Sequence, residues 1–136
     1  MSKYLRLVFV CLMISNPAWA ACDGGEWIQG QDGNRFCRSD AAMNWWSAMV
    51  WCQQNGMLLT TITNICPDTT LSSGNACQNM RQGSGDQRYG WTRSLCGTGY
   101  AWTVDASNNG SVIKCQDRTA ISGYWIAQMH ALCEAD

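Results

Sequence analysis

The sequence predicts an α+β domain that is stabilised by disulfide bonds. Trp45, Ala48, Met49 and Cys52 recur at helical spacing and form one apolar stripe. Later in the chain, "YAWTVD" and "SVIKC" are alternating, β-branched or aromatic segments of the kind that forms antiparallel strands. After the first twenty residues the short chain holds eight cysteines, an even number that indicates disulfides. A helix first, strands later and a long loop between them favour the α+β class.

The N-terminus has the pattern of a secretory signal peptide. Lys3 and Arg6 precede the apolar run "LVFVCLMI", and small residues lead to Ala20. That run is far shorter than the roughly 20 apolar residues that span a bilayer. We therefore expect a signal peptide over residues 1-20, one domain over 21-136, and a soluble mature protein that is secreted, periplasmic or at the cell surface.

Removal of this signal peptide changes both the net charge of the chain and its number of cysteines. It carries Cys11 and two of the nine basic residues, so seven Lys or Arg face ten Asp or Glu, a formal charge of 7 − 10 = −3. This mild acidity provides no basic stripe for nucleic acid. The alternative to cleavage after Ala20 is a lipid on Cys22, because "WAAC" resembles a lipoprotein box. Trp19 is atypical for such a box, and lipidation would leave an odd number of thiols.

The stripe segment is the first predicted element. Ser39 or Asp40 is expected to cap the start of the helix, and Gly56 lies where it would end. Trp46 and Trp51 lie off the stripe, so each is expected either to pack against another element or to be partly exposed. The next residues, "MLLTTI", suit a short extended or turn segment.

The rest of the chain is expected to form a loop and then strands. Pro67 to Gln87 is rich in Ser, Gly, Asn and Thr and indicates a long polar surface loop. Asn109-Gly110 predicts the turn of the hairpin between "YAWTVD" and "SVIKC". With Ser111 it also matches a glycosylation sequon, although the turn alone explains it. The segment "SGYWIAQMHALCE" suits a closing strand, and a terminal helix remains the alternative.

Five pieces of the chain, in order, carry a resemblance to a known family. The spacing W-x-x-A-x-x-x-C-x-x-x-G-x-x-L-x-x-I from Trp45 to Ile62 resembles the first-helix signature of the C-type lectin-like domain. "CDGGEWIQGQDGNRFC" resembles the N-terminal hairpin of that family's long form. "RYGWTRS", the strands "GYAWTVD" and "SVIKCQDR", and the closing "ALCE" are similar to its later strands. The resemblance covers nearly the whole mature chain and implies a fold of one or two short helices packed on small antiparallel sheets with a long polar loop.

Eight cysteines allow 105 pairings, which the sequence alone does not resolve. The resemblance implies two pairs, Cys22 with Cys37 and Cys52 with Cys133. Position along the chain suggests two more: Cys66 with Cys77 at the ends of a polar segment, and Cys96 with Cys115 around the hairpin. The family commonly joins a cysteine like Cys115 to one shortly before the closing Cys-Glu, but "WIAQMHA" contains none.

The family's calcium chemistry is not expected to carry over. Calcium-dependent members use a Glu-Pro-Asn or Gln-Pro-Asp triplet and a Trp-Asn-Asp triplet, and this chain has neither. Four scattered acids offer other oxygen ligands but are more typical of solvated surface: Asp86, Asp105, Asp117 and Glu134. We therefore expect no metal site and no cofactor.

Catalysis is also not expected. His130 lies close to Cys133 in the chain, but a nucleophilic cysteine must be a free thiolate, and Cys133 is expected in a disulfide. No Cys-x-x-Cys pair offers zinc or redox spacing, and "RQGSGDQ" lacks the lysine of a phosphate loop.

Two hypotheses about function follow. In the first, the protein is an exported module that binds a protein or glycan without calcium through the long loop and adjacent strands, with four candidate ligand-binding residues: Arg81, Asp86, Arg88 and Tyr89. In the second, it is a structural subunit or tip of a surface assembly, such as a pilus or envelope complex, with Trp46 and Trp51 buried between subunits. A polar concavity at the loop favours the first, and a contiguous apolar patch on the helix favours the second.

Overall fold

A computed structural model describes residues 20–80, 88–105, 111–121 and 128–135. Residues 1–19 of the predicted signal peptide and the expected turn at Asn109-Gly110 lie outside these ranges. The described residues form two short helices and eight strands. The helices are α1 (Trp45–Gln54) and α2 (Ile62–Ile65). The strands are β1 (Gly25–Gln29), β2 (Arg35–Ala42), β3 (Leu58–Leu59), β4 (Ala76–Cys77), β5 (Arg88–Gly97), β6 (Tyr100–Asp105), β7 (Ser111–Asp117) and β8 (Gln128–Glu134).

The strands join in one sheet, in contrast to the several small antiparallel sheets expected. Its order is β1-β2-β8-β5-β6-β7-β4, and β3 pairs with β8 outside this path. The β5–β8 pair is parallel, and every other pair in this order is antiparallel. Strands β5, β7 and β8 therefore run in one direction, and β6 runs in the opposite direction. A predominantly β architecture with two short helices is consistent with the α+β class.

The residue that caps the start of helix α1 is Asn44, and not Ser39 or Asp40 as expected. The Asn44 side-chain oxygen accepts a hydrogen bond from the Ser47 amide (2.9 Å), which satisfies a free N–H of the first turn. Ser39 and Asp40 belong instead to β2, where the Ser39 hydroxyl accepts from the Ala131 amide (2.8 Å). Pairing with β8 therefore extends β2 past both predicted caps.

The apolar stripe of α1 packs on one face of the sheet, as predicted. Trp45, Ala48 and Cys52 are buried there, and Met49 is partly buried against the same core. The Trp45 indole N–H donates to the Thr92 carbonyl (2.9 Å), which fixes the start of α1 against β5. Gly56, with φ of 70°, follows the last turn of the helix.

A second core lies on the opposite face of the sheet, and part of the predicted surface loop contributes to it. Ile62 and Ile65 of α2 are buried in this core. The sequence predicted an extended or turn segment that ends at Ile62, and in the structure this residue begins α2. Cys77 of β4 and Met80, in a short 3₁₀ helix over Gln78–Met80, are buried in it as well. The described part of the polar segment, residues 67–80, thus packs against the domain because it carries apolar anchors between its Ser and Gly residues.

Four disulfides link these elements. The pairs are those expected from the sequence: Cys22–Cys37, Cys52–Cys133, Cys66–Cys77 and Cys96–Cys115. Such a density of disulfides in a small domain is typical of proteins that fold in an oxidising, extracellular-type compartment. Among the described residues, none of the helices has the length and apolar character to cross a membrane.

Candidate functional site

An open cleft of about 640 Å³ lies where the start of β2, helix α2 and the end of β8 meet. We call it the hairpin cleft, because the β1–β2 hairpin forms one of its walls. Its lining is mainly polar and comprises Trp27, Gly33, Asn34, Arg35, Phe36, Asn64, Glu134 and Ala135.

The Glu134 carboxylate is fixed in one orientation in this cleft. One of its oxygens accepts hydrogen bonds from the Thr60 hydroxyl (2.9 Å) and the Asn64 side-chain amide (2.8 Å). The other oxygen lies 3.8 Å from a guanidinium nitrogen of Arg93. Because side chains from α2, β5 and the connection before α2 hold this carboxylate, its oxygens are positioned before any ligand arrives.

Arg35 and Trp27 form the opposite wall. The guanidinium carbon of Arg35 lies 4.7 Å from the centre of the Trp27 ring, a cation–π contact across the β1–β2 hairpin. Trp27 is half-buried and packs against the core beneath α1, whereas Arg35 is exposed. Within the described ranges no carboxylate lies within ion-pair distance of Arg35, so no described carboxylate occupies its N–H donors.

Disulfides anchor all three walls of the hairpin cleft. Arg35 lies two residues before Cys37, which pairs with Cys22. Asn64 lies two residues before Cys66, which pairs with Cys77. Glu134 directly follows Cys133, which pairs with Cys52 of α1. Three of the four cross-links therefore act on this region, and they restrict the relative movement of its walls.

A second polar concavity, of about 380 Å³, lies on the other side of the hairpin turn, beside the loop after α2. Its floor is Asn79, which is nearly buried. The Asn79 side chain donates to the Ile65 carbonyl (2.8 Å) and accepts from the Asp32 amide (2.9 Å). Asp32 and Asp68 line the concavity, yet in the part of the chain that the structure describes no three acidic, His or Cys side chains converge on a point suited to a metal ion.

An apolar surface covers the outer side of α1. We call it the helix face, and it comprises Met43, Trp46, Ser47, Val50, Trp51 and Gln54. Trp46 is 46% exposed and Val50 is 51% exposed. Trp51 is partly buried, because its ring lies over Gly25 of β1, where an added Cβ would come within 3.0 Å of it. The two off-stripe tryptophans thus realise both expected outcomes: Trp51 packs against another element, and Trp46 is exposed.

A cation is attached to one edge of the helix face. The Arg118 guanidinium lies 4.9 Å from the centre of the Trp45 ring and 5.0 Å from that of Trp46. The Arg118 carbonyl also accepts from the Trp45 amide (3.1 Å), which places the end of the β7 segment beside the first turn of α1. The helix face therefore combines tryptophan and arginine, the residue types that dominate the energetics of protein interfaces.

Of the four predicted ligand-binding residues, the structure describes the backbone of Arg88 and the whole of Tyr89. Arg81 and Asp86 lie outside the described residues. The backbone of Arg88 begins β5 and pairs with Gln128. Tyr89 is only 5% exposed and belongs to the core under α1, with the Lys114 ammonium 5.3 Å from its ring. The ring of Tyr89 lies in the core and not on a loop surface, because pairing of β5 with β8 places this position under α1.

The acids considered as alternative calcium ligands are not brought together where they are described. Asp105 pairs with Val112 at one end of the β6–β7 hairpin, and Asp117 pairs with Tyr100 at the other end. The amide and the hydroxyl of Thr119 both donate to the Asp117 carboxylate, and these bonds, with nearby Arg118, hold the pKa of that carboxyl below its usual range. Glu134 lies in the hairpin cleft, and Asp86 lies outside the described residues.

The thiol-and-base pair considered at Cys133 lacks its thiol. Cys133 is bonded to Cys52, and a disulfide sulfur is not a thiolate. His130 is fully buried on β8, with Nδ1 2.7 Å from the Ser39 carbonyl oxygen. This histidine is therefore packed between strands, away from solvent.

Sequence reasoning did not select Trp27, Arg35 and Asn64 as site residues. The hairpin pattern offered one signal, because pairing of β1 with β2 places Trp27 near Arg35. No signal indicated Asn64, whose contact with Glu134 joins positions 70 residues apart. No protein-family model matches the chain, and a comparison with curated proteins found no significant match.

Proposed function

We propose that this protein is an exported, disulfide-stapled binding module that recognises a protein or glycan partner without calcium. The hairpin cleft carries this proposal, because cross-links fix its three walls. A ligand that enters a fixed site loses less free energy to ordering of the protein, so the affinity per contact is higher. Rigid scaffolds that present polar and aromatic groups in a concave site are typical of ligand recognition.

The proposed fold family is the C-type lectin-like domain. Two features support it: the bridge that ties α1 to the last strand, and the N-terminal hairpin closed by Cys22–Cys37. The signal-like N-terminus and the four disulfides support export to a periplasmic, secreted or cell-surface location.

Binding is proposed rather than catalysis because the groups in the hairpin cleft suit recognition. Glu134 is the carboxylate at its centre, and its oxygens are already engaged by Thr60, Asn64 and Arg93. These contacts position the carboxylate as a hydrogen-bond acceptor, which is a role in ligand recognition.

The test is a screen of the oxidised domain, residues 21-136, on glycan and protein arrays in the presence of EDTA. We expect at least one specific ligand, and we expect Ala135→Trp to weaken it at least tenfold by filling the hairpin cleft. Ala76→Trp is the matched control, because Ala76 is also exposed but lies on β4 away from the cleft. Absence of any ligand, or equal loss in both variants, would contradict the proposal.

A second candidate function, a subunit or tip of a surface assembly, is favoured by the helix face. An exposed apolar surface with tryptophan at its centre is typical of a protein interface. Under this proposal Trp46 and Val50 become buried against a neighbouring subunit, and Trp51 contributes the part of its ring that remains exposed.

Sedimentation velocity over a wide concentration range tests self-association. If the helix face joins copies of the chain, the oxidised domain associates as its concentration rises, and Trp46→Gln prevents it. Leu95→Gln is the control, because Leu95 is 56% exposed and is not one of the residues of the helix face. If the domain is a monomer at all concentrations, the helix face does not join copies of this chain, and only a contact with a different subunit remains. Equal effects of the two variants would contradict a role for the helix face.

A further inference from the structure

We infer that the ligand of the hairpin cleft is a saccharide that carries a carboxylate, with the acid group bound by Arg35. The inference rests on the proposed function, since it names the class of partner for that same cleft. Three properties of the cleft support it: an arginine with open donors, a set of fixed hydroxyl-binding groups, and a Glu134 carboxylate that already has Arg93 as its cation.

Arg35 is held ready for an anion. Its guanidinium lies against the face of Trp27, which orients the plane of the group while the N–H donors at its edge remain open. Within the described residues it has no carboxylate partner. A planar guanidinium with open donors matches a carboxylate, which can accept two parallel hydrogen bonds from it.

Groups suited to sugar hydroxyls lie beside Arg35. Asn34 and Asn64 are exposed, and each uses one of its two amide N–H donors within the protein: Asn34 donates to Asp32 (3.0 Å), and Asn64 donates to Glu134 (2.8 Å). Each amide keeps a second N–H donor for a ligand. The Glu134 oxygens can accept from hydroxyl groups, and a sugar presents several hydroxyls at fixed spacing.

The balance of charge around the cleft favours an acid. Glu134 is the carboxylate in its lining, and Arg93 lies 3.8 Å from that carboxylate and offsets it. Arg35 remains as an additional positive charge, whereas the whole chain has a formal charge of −1. Arg35 is therefore the charged group of the lining that no described carboxylate offsets, and it favours an anionic ligand.

A saccharide fits this lining better than a peptide segment. Peptide and protein ligands gain most of their affinity from apolar or aromatic anchors in fitted pockets. Here Phe36 is 2% exposed, and the Arg35 guanidinium lies over a face of Trp27, so the cleft offers little apolar surface to a side chain. Amide and carboxylate groups at several positions instead match a ligand with many hydroxyls.

Isothermal titration with matched sugar pairs tests this inference. The probes are trigalacturonic acid with its methyl ester, and sialyllactose with lactose, each titrated into the oxidised domain in EDTA. We expect each acid to bind at least tenfold more tightly than its neutral match. Arg35→Gln should remove this preference, and Arg35→Lys should restore only part of it, because lysine keeps the charge and loses the two-pronged donor geometry.

Lys114→Gln is the control for charge, since it removes one positive charge from β7, away from the cleft, and should leave the affinity unchanged. Amide chemical shifts should change around Asn34, Arg35 and Asn64 when the acid is added. Equal affinity for acid and ester, unchanged affinity in Arg35→Gln, or no binding of either acid at 10 mM would overturn the inference. If the arrays still yield a neutral glycan or a protein whose binding is weakened by Ala135→Trp, the proposed function survives and only the ligand class is wrong.

Discussion

Removal of the disulfide between α1 and β8 should cost more stability than removal of any short-range disulfide. Cys52 and Cys133 are separated by 81 residues, and both are fully buried. In the loop-entropy description, a cross-link of this span stabilises the folded state by about 4.5 kcal/mol at 25 °C. The Cys66–Cys77 and Cys96–Cys115 bridges shorten the effective loop, but the dependence is logarithmic and lowers the figure only to about 4 kcal/mol.

The variant for this test is Cys52→Ala/Cys133→Ala, which leaves no reactive thiol. At an unfolding entropy of about 2.1 cal/mol/K per residue, a loss of about 4 kcal/mol lowers the Tm of a domain of roughly 116 residues by about 15 °C. The matched variant is Cys66→Ala/Cys77→Ala, whose separation of 11 residues predicts a smaller loss, about 3 kcal/mol.

Urea denaturation followed by tryptophan fluorescence measures both losses under conditions in which the remaining disulfides stay oxidised. The expected order is a larger loss for the α1–β8 bridge than for the loop bridge. If the two variants lost equal stability, or if the Cys52→Ala/Cys133→Ala variant lost less than about 1 kcal/mol, loop entropy would not explain the role of this bridge.

Three further outcomes are expected. First, the Tm in excess EDTA should equal that in millimolar calcium, because a specific site would raise it by several degrees; a rise with calcium and not with magnesium would contradict the calcium-free proposal. Second, Thr119→Ala should raise the pKa of Asp117 part of the way, because it removes the hydroxyl bond and keeps the Thr119 amide bond that lowers this pKa most; an NMR titration of the carboxyl carbon measures it. The associated loss of stability should be present at neutral pH and vanish as the pH falls through the lowered pKa, and an unchanged pKa would refute the contribution of the hydroxyl. Third, Asn79→Ala should destabilise the domain by about 2 kcal/mol in urea denaturation, because the Asp32 amide and the Ile65 carbonyl lose their partner; a loss below about 0.5 kcal/mol would show that water replaces it.

Sequence patterns that depend on neighbours in the chain predicted much of the fold. The helical stripe ending near Gly56, the β6–β7 pairing and the burial of Trp45 follow from periodicity and turn chemistry, which act over a few residues. Family resemblance and position in the chain predicted the disulfide pairs. The cap of α1 could not be chosen this way, because Ser39 and Asp40 are good caps in isolation and only pairing with β8 makes them part of a strand.

The sequence by itself determined the class of molecule: a small α+β domain with four cross-links and an apolar helix stripe, since these depend on composition, parity and local spacing. The tertiary structure alone decided the site. Arg35, Asn64 and Glu134 meet in the hairpin cleft because β2 and β3 both pair with the end of β8, which gathers segments separated by up to about a hundred residues. Likewise, Tyr89 is buried because β5 lies beside β8 under α1. Long-range strand pairing is not encoded in any local pattern, so the position of a polar side chain relative to its distant neighbours emerges only when the sheet is assembled.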